Sequence, residues 1–184
     1  MEFHTFPVER ADALEDPSRY RFLSRDELVE LLDPDPEAVV ADLGSGTGFY
    51  AADLAPFVGT LYAVDVQPAM HDLHRENGVP ETVELVTAVV SALPLPDDEL
   101  DGAFSVMTHH EYGDAEALAE LARVCKPGAR IVTVDWSADG VGEDGPSMEE
   151  RFDASTVADD FARAGFTVEA VHDRPETFVV VVRR

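Results

Sequence analysis

The stretch that most limits how this chain can fold is Val39-Val40-Ala41-Asp42-Leu43-Gly44-Ser45-Gly46-Thr47-Gly48-Phe49-Tyr50. A short apolar run ends beside a carboxylate, glycines follow at alternate positions, and a helical pattern continues from Phe49 to about Phe57. This pattern predicts strand, tight turn and helix. Glycine tolerates positive φ and lets a ligand approach the main chain. A turn that opens a helix also supplies N–H groups that the helix itself does not use. A second apolar run, Leu61 to Val64, ends in Asp65, about twenty residues beyond Gly44. A carboxylate at the tip of a second strand suits the hydroxyls of a ribose.

Two ligand classes use such a unit. Dinucleotide binders require G-x-G-x-x-G, and here Phe49 stands where the third glycine belongs. The spacing present is D-x-G-x-G-x-G, with Asp42 at its head.

The rest of the chain alternates strand and helix patterns. Ser24 reads as an N-cap, with Glu27 completing a capping box before a helix Arg25–Leu32. Strands are predicted at about Ala38–Leu43, Leu61–Val64, Val83–Ala88, Gly102–Met107, Arg130–Trp136, Phe166–His172 and Thr177–Val182. Helices are predicted from Pro68 to about Asn77, over Asp114–Val124, and from a Ser155 cap to Ala164. Lys126-Pro127-Gly128 reads as a sharp stop after the second of these. Short connections between alternating elements imply a doubly wound α/β sheet in one domain spanning 1–184, with an N-terminal lid or helix over 1–33 and a core over 34–184. Val179 to Val182 is a continuous apolar run, as expected of a strand buried on both faces. The last two strands form a hairpin through Asp173–Glu176, so one strand is reversed.

The formal net charge is −25, and Lys126 is the only lysine. This balance resembles a whole-surface adaptation to concentrated salt, which screens the mutual repulsion of acidic groups. It argues against a nucleic-acid partner, because no basic stripe exists to meet phosphates. Cys125 is the single cysteine. It excludes an intrachain disulfide or a multi-cysteine metal site, and it reads as a small core residue in a helical pattern. No metal is expected. The N-terminus has no basic flank with an apolar run, which sets the expectation of a cytoplasmic chain without a membrane span.

Several segments together resemble a known family. The D-x-G-x-G-x-G turn resembles motif I of the class I S-adenosylmethionine-dependent methyltransferases, and Asp65 falls where their second acidic motif lies. Leu93-Pro94-Leu95-Pro96-Asp97, followed by Leu100-Asp101, resembles a stretch of their small-molecule group, akin to the ubiquinone- and menaquinone-biosynthesis type. Leu121-Ala122-Arg123-Val124-Cys125-Lys126-Pro127-Gly128-Ala129-Arg130 resembles another motif of that group. Asp135-Trp136 and Gly145-Pro146-Ser147-Met148-Glu149-Glu150-Arg151 resemble a compact prokaryotic subgroup.

The resemblance implies a Rossmann-like seven-stranded mixed sheet of order 3-2-1-4-5-7-6 with strand seven antiparallel. It implies S-adenosylmethionine as cofactor, S-adenosylhomocysteine as product, and a small-molecule acceptor. By position, Gly44, Ser45 and Gly46 would admit the methionine half. Asp42 would engage its ammonium, Asp65 the ribose and Val66 the adenine. Val89 stands where relatives carry an acid, so main-chain groups of Val90 and Ser91 would replace that contact. An aromatic-rich segment such as 1–23 resembles a lid, and a plain strap across the sheet remains an equal alternative.

The predicted fourth strand ends in Thr108-His109-His110-Glu111-Tyr112, and ligands in such sheets bind beyond the carboxyl ends of the strands. His110, and after it His109, are therefore the candidate general bases. His4, His71, His74 and His172 read as surface or lid residues, with His4 able to enter the pocket. Arg151 reads as an ordinary ion pair before a substrate ligand. A protein acceptor, or a cofactor-binding subunit without activity, stands as the alternative to small-molecule methyl transfer.

Overall fold

The computed structural model describes residues 5–184. His4 lies outside the described residues. Seven strands form one sheet: β1 (Val39–Leu43), β2 (Thr60–Asp65), β3 (Val83–Thr87), β4 (Leu100–Val106), β5 (Cys125–Trp136), β6 (Thr167–Asp173) and β7 (Thr177–Arg183). Their order is β3-β2-β1-β4-β5-β7-β6, with β7 antiparallel to both neighbours. The mixed sheet and its order match the sequence reading.

Strand β7 shows why the order holds. Val180 and Val182 pack into one core, while Val179 and Val181 pack into the other. A strand apolar on both faces needs a layer of helix on each side. Helices α5 (Ala115–Val124) and α6 (Ala154–Arg163) cover the first face through Leu118, Leu121, Val157 and Phe161. Helices α1 (Arg25–Leu32) and α2 (Phe49–Leu54) cover the second through Leu28, Leu32, Tyr50 and Leu54. Each such side chain removed from water contributes about 1.5–3 kcal/mol. Helix α3 (Pro68–Asn77) packs on β2 and β3, and α4 is the single turn His109–Tyr112.

Local chemistry sets the helix ends. The Asp114 carboxylate accepts the Ala117 N–H at 2.8 Å, and Asp153 accepts that of Thr156 at 2.8 Å. The cap of α6 is thus Asp153 rather than Ser155, whose hydroxyl itself donates to Asp153. Only half of the capping box at α1 forms. Ser24 accepts the Glu27 N–H at 3.2 Å, but the Glu27 carboxylate pairs with Arg174 instead of returning to Ser24. A cation within reach of a carboxylate competes well with a neutral N–H.

Strand β5 begins at Cys125, immediately after α5, so Lys126-Pro127-Gly128 lies within an irregular strand start and not in a separate turn. Cys125 is therefore a strand residue rather than a helical one. It is buried, and burial pushes its thiol up to about 12, as for an inert core thiol. The polar face of the sequence is also partly inside. His71 and His74, expected at the surface, lie buried on the inner side of α3, while His172 is exposed.

Candidate active site

The site lies beyond the carboxyl ends of β1, β2, β4 and β5. Gly44 follows β1 with φ +79°, and a Cβ there would sit 2.7 Å from the Thr108 side chain. Thr108 occupies that space because its hydroxyl donates to the Leu43 carbonyl at 2.8 Å, tying the end of β4 to the turn. Gly48, at φ +91°, would drive a Cβ to within 2.1 Å of the His74 ring. The glycines are thus dictated both by backbone conformation and by close neighbours.

The turn is not a source of free donors. The N–H groups of Gly44 and Ser45 donate to the Val64 carbonyl at 2.9 and 2.8 Å, and that of Gly48 to Ser45 at 3.0 Å. Asp65 accepts the Gly46 N–H at 2.9 Å and the Gln67 N–H at 2.8 Å. A turn whose donors are already used suits a ligand without phosphate. This corrects the expectation of open N–H groups. The Asp65 carboxylate is buried, and burial raises its pKa against the lowering effect of those two N–H bonds.

A cavity of about 530 Å³ opens over this turn. Of the residues that the sequence reading assigned to a cofactor, Gly44, Ser45, Gly46, Asp65, Val66 and Val90 line it. Asp42 stands behind the turn and Ser91 is outside the wall. Asp42 is 3% exposed, and burial pushes its carboxyl up to about 8, with Arg19 opposing and Asp65 adding to the rise. The Ser45 hydroxyl is buried and has no hydrogen-bond partner. The Ser45 hydroxyl is thus left for a ligand to satisfy, and the charged form of Asp42 is disfavoured unless a cation meets it.

Arg19, which sequence reasoning missed, lines the same cavity. Its guanidinium donates to the Leu14 carbonyl at 2.7 Å and lies 5.0 and 4.9 Å from the Phe49 and Tyr50 ring centroids. Residues from Thr5 to Phe22 supply much of the remaining wall. Gln67 holds this segment from one end, donating to the Phe6 carbonyl at 3.1 Å. Arg21 pairs with Asp144 at 2.6 Å at the other end, joining it to the loop before Arg151.

Met107, at φ +60°, turns the chain sharply out of β4 into α4. Consecutive residues on a helical turn point about 100° apart. His109 and His110 therefore diverge. His109 enters the core, stacked on Phe161 at 5.8 Å and edge-on to Tyr112 at 5.3 Å. Burial pushes its imidazole down to about 4. It does not line the cavity, so its expected position as a second base is corrected.

His110 lines the cavity. Its Nδ1 lies 2.9 and 3.0 Å from the two oxygens of Asp135, which also accepts the His110 N–H at 2.7 Å and the Trp136 N–H at 2.7 Å. Burial disfavours the charged ring, but the hydrogen bond and charge of Asp135 outweigh it, and the net pKa is raised. With Nδ1 committed to Asp135, Nε2 is the nitrogen left to exchange a proton. Glu111, also lining the cavity, is pushed by burial up to about 7, with His110 opposing and Asp65 and Asp135 adding.

Arg151 is buried and spent within the protein, on Glu176 at 3.2 Å and on the Pro146 carbonyl at 3.1 Å. The ion-pair reading of this residue holds. Among the described residues, no group of three or more His, Cys, Asp or Glu side chains is placed to hold a metal. Likewise among them, no helix is long and apolar enough to cross a membrane.

Comparison with known proteins agrees with this geometry. A crystallised S-adenosylmethionine-dependent methyltransferase of Aquifex aeolicus superposes with a TM-score of 0.88 at 30% identity, covering 97% of this chain and 98% of that one. The methyltransferase complexed with the Trm112 methyltransferase activator of Haloferax volcanii has a TM-score of 0.79 at 19% identity over 96% of each chain, which shows a shared fold. In sequence, an uncharacterised methyltransferase of Mycobacterium tuberculosis is 31% identical over 137 residues, 68% of this chain and 55% of its own length. A demethylmenaquinone methyltransferase of Corynebacterium kroppenstedtii is 35% identical over 107 residues, 58% of this chain and 45% of its own. The chain spans about half the length of these relatives. The family model described as a methyltransferase domain matches residues 41–133, from β1 into β5. On that match and the agreement of fold, the chain belongs to the methyltransferase domain family.

Proposed function

We propose that the protein transfers a methyl group from S-adenosylmethionine to a small-molecule acceptor. The observation that carries this reading is one cavity holding both the Gly44–Gly46 turn with Asp65 and the Nε2 edge of an Asp135-held imidazole. The cofactor, when bound, supplies an activated methyl on a sulfonium. Asp65 would hold its ribose hydroxyls and Val66 would flank its base. Main-chain groups beside Val90 would meet the adenine edge. Ser45, Asp42 and Arg19 would hold the amino-acid end, with Asp42 ionising as the ammonium arrives.

The protein's own residues then position the acceptor and manage its proton. His110 Nε2 accepts that proton, and Asp135 stabilises the resulting imidazolium and fixes the tautomer. Enclosure by residues 5–22 keeps water from the reacting groups, and alignment of reactants supplies a large part of the rate. The cavity is within the about 300–1,000 Å³ range of small-molecule sites, and the bound cofactor would take much of it, which favours a compact acceptor.

Titration calorimetry with S-adenosylhomocysteine, run in buffers of different ionisation enthalpy near neutral pH, tests the cofactor site. Binding with proton release is expected as Asp42 ionises. Absence of binding refutes the reading. Mass spectrometry of a metabolite extract incubated with methyl-labelled cofactor then separates an enzyme from a silent binder.

A further inference from the structure

The wall around His110 has a chemistry of its own. It combines the rings of Phe22 and Trp136, 4.9 Å apart and edge to face, with the carboxylates of Glu111 and Glu150. Two of the neighbouring cations, Arg151 and Arg21, are committed to acids of the protein, while Arg10 and Arg19 line the cavity from the strap. Arg151 is bound to Glu176 and to carbonyls, Arg21 to Asp144, and Arg19 to the Leu14 carbonyl beside Asp42. Arg10 lies over the Phe6 ring at 5.7 Å, in the segment that Gln67 fastens through Phe6.

Glu111 is not part of the acidic surface that keeps the protein hydrated. It is only partly exposed and faces the cavity, with His110 as its cationic neighbour, the Phe6 N–H bonded to it, and Asp65 and Asp135 adding negative charge nearby. A carboxylate withdrawn from water beside other acids is costly to ionise, and the shared, titratable charge of His110 leaves room for a second cation against it. Aromatic rings beside it also favour a cation, through the negative faces of their π-systems.

We propose that the acceptor is a small amine with an apolar or aromatic body, bound as its ammonium against Glu111 with its body against Phe22 and Trp136. The proposal rests on the methyltransferase reading above and deepens it. In the reaction, one N–H bond of the ammonium breaks and its proton goes to His110 Nε2. The freed lone pair forms the N–C bond as the methyl's C–S bond breaks, and that electron pair returns to sulfur. The products are the methylated ammonium, S-adenosylhomocysteine and one proton, which His110 passes to water. An anionic acceptor with its body against Phe22 and Trp136 would meet the Glu111 carboxylate instead of a cation.

The test uses the full chain saturated with S-adenosylhomocysteine at one fixed salt concentration. Phenethylamine and 3-phenylpropanoate, similar in shape and opposite in charge, are titrated by calorimetry into the wild type and into Glu111→Gln. The amine is expected to bind at least about tenfold more tightly than the carboxylate. Glu111→Gln is expected to lose about tenfold or more in amine affinity while keeping its affinity for S-adenosylhomocysteine, which reports an intact fold. Equal or tighter binding of the carboxylate overturns the proposal, as does binding of neither probe. Amine affinity unchanged in Glu111→Gln also overturns it. The wild-type comparison stands even where the variant does not fold. If S-adenosylhomocysteine itself does not bind, the methyltransferase reading falls and the acceptor proposal with it.

Discussion

Asp135→Asn is the sharpest probe of the site, because its effect on His110 can be read without knowing the acceptor. Asp135 is 1% exposed and places both oxygens within 3.0 Å of His110 Nδ1. A hydrogen bond to a charged group is worth about 1.5–3 kcal/mol. At about 1.4 kcal/mol per factor of ten, losing the charge lowers the imidazole's proton affinity by roughly ten- to a hundred-fold. The Asn keeps the shape but accepts through one oxygen, so it cannot serve both main-chain N–H groups and the ring. The assay is a proton–carbon NMR titration of the histidine ring resonances, with His110→Gln to assign the signal. His110 is expected to titrate above the ordinary histidine range in the wild type and distinctly lower in Asp135→Asn. Affinity for S-adenosylhomocysteine should stay within about threefold, because Asp135 is outside the cofactor's half of the site. An unmoved His110 titration in a folded variant would refute the dyad.

Other perturbations follow from the same geometry. Gly44→Ala forces a side chain into positive φ and into Thr108, and should cost about 1–3 kcal/mol by thermal melting together with most cofactor affinity. Wild-type affinity in that variant would remove the turn from the site. His109 sits near 4 in the fold but titrates near 6.5 when unfolded, so the unfolded chain takes up the proton first. Its contribution is complete above pH 6.5 and is lost as pH falls towards about 4, on the order of 3 kcal/mol in all. Denaturation of His109→Leu should therefore show a shallower acid decline than the wild type, and parallel curves would show that His109 is not the buried neutral group described. With a net charge of −25, structure is expected to weaken from molar to millimolar KCl, and unchanged circular dichroism across that range would count against a salt-adapted surface.

The sheet was legible because its signals are local. Val39–Leu43 with its glycines, Leu61–Asp65 and the β7 valine run each announce a strand and its neighbours. The position of Asp65 followed from the same spacing. The dyad was half legible. His110 was placed by the rule that ligands sit beyond strand ends, but its partner is 25 residues away on β5, and no periodicity joins them. The available signal was Asp135 itself, an acid in an otherwise largely apolar strand, which must find a partner once buried. His109 misled because adjacent residues at a strand end and on a helical turn point in different relative directions. The turn that separates them depends on Met107 taking a left-handed conformation that its sequence does not advertise. Arg19 was hidden because residues 5–22 lack the periodicity of a regular α-helix, folding instead into two 3₁₀ segments. Buried His71 and His74 were invisible for a related reason: α3 is mostly polar, so its inward face carries imidazoles where leucines would have declared it.

The segment stitched across the cavity by Gln67 and Arg21 has a mechanical corollary. The strap is held at many points, by Gln67 and Glu111 at Phe6, by Tyr20 on Asp53 at 2.7 Å and by Arg174 on the Phe22 carbonyl at 2.7 Å, while the Arg21–Asp144 pair stands in water and is worth less than about 1 kcal/mol. None of these ties is a strand pairing of the sheet, so the strap can part from the cavity mouth without unfolding the sheet beneath. Of these ties, the exposed Arg21–Asp144 pair is the one that added electrolyte screens, so ionic strength acts on the strap at its junction with the loop before Arg151 and leaves the uncharged ties in place.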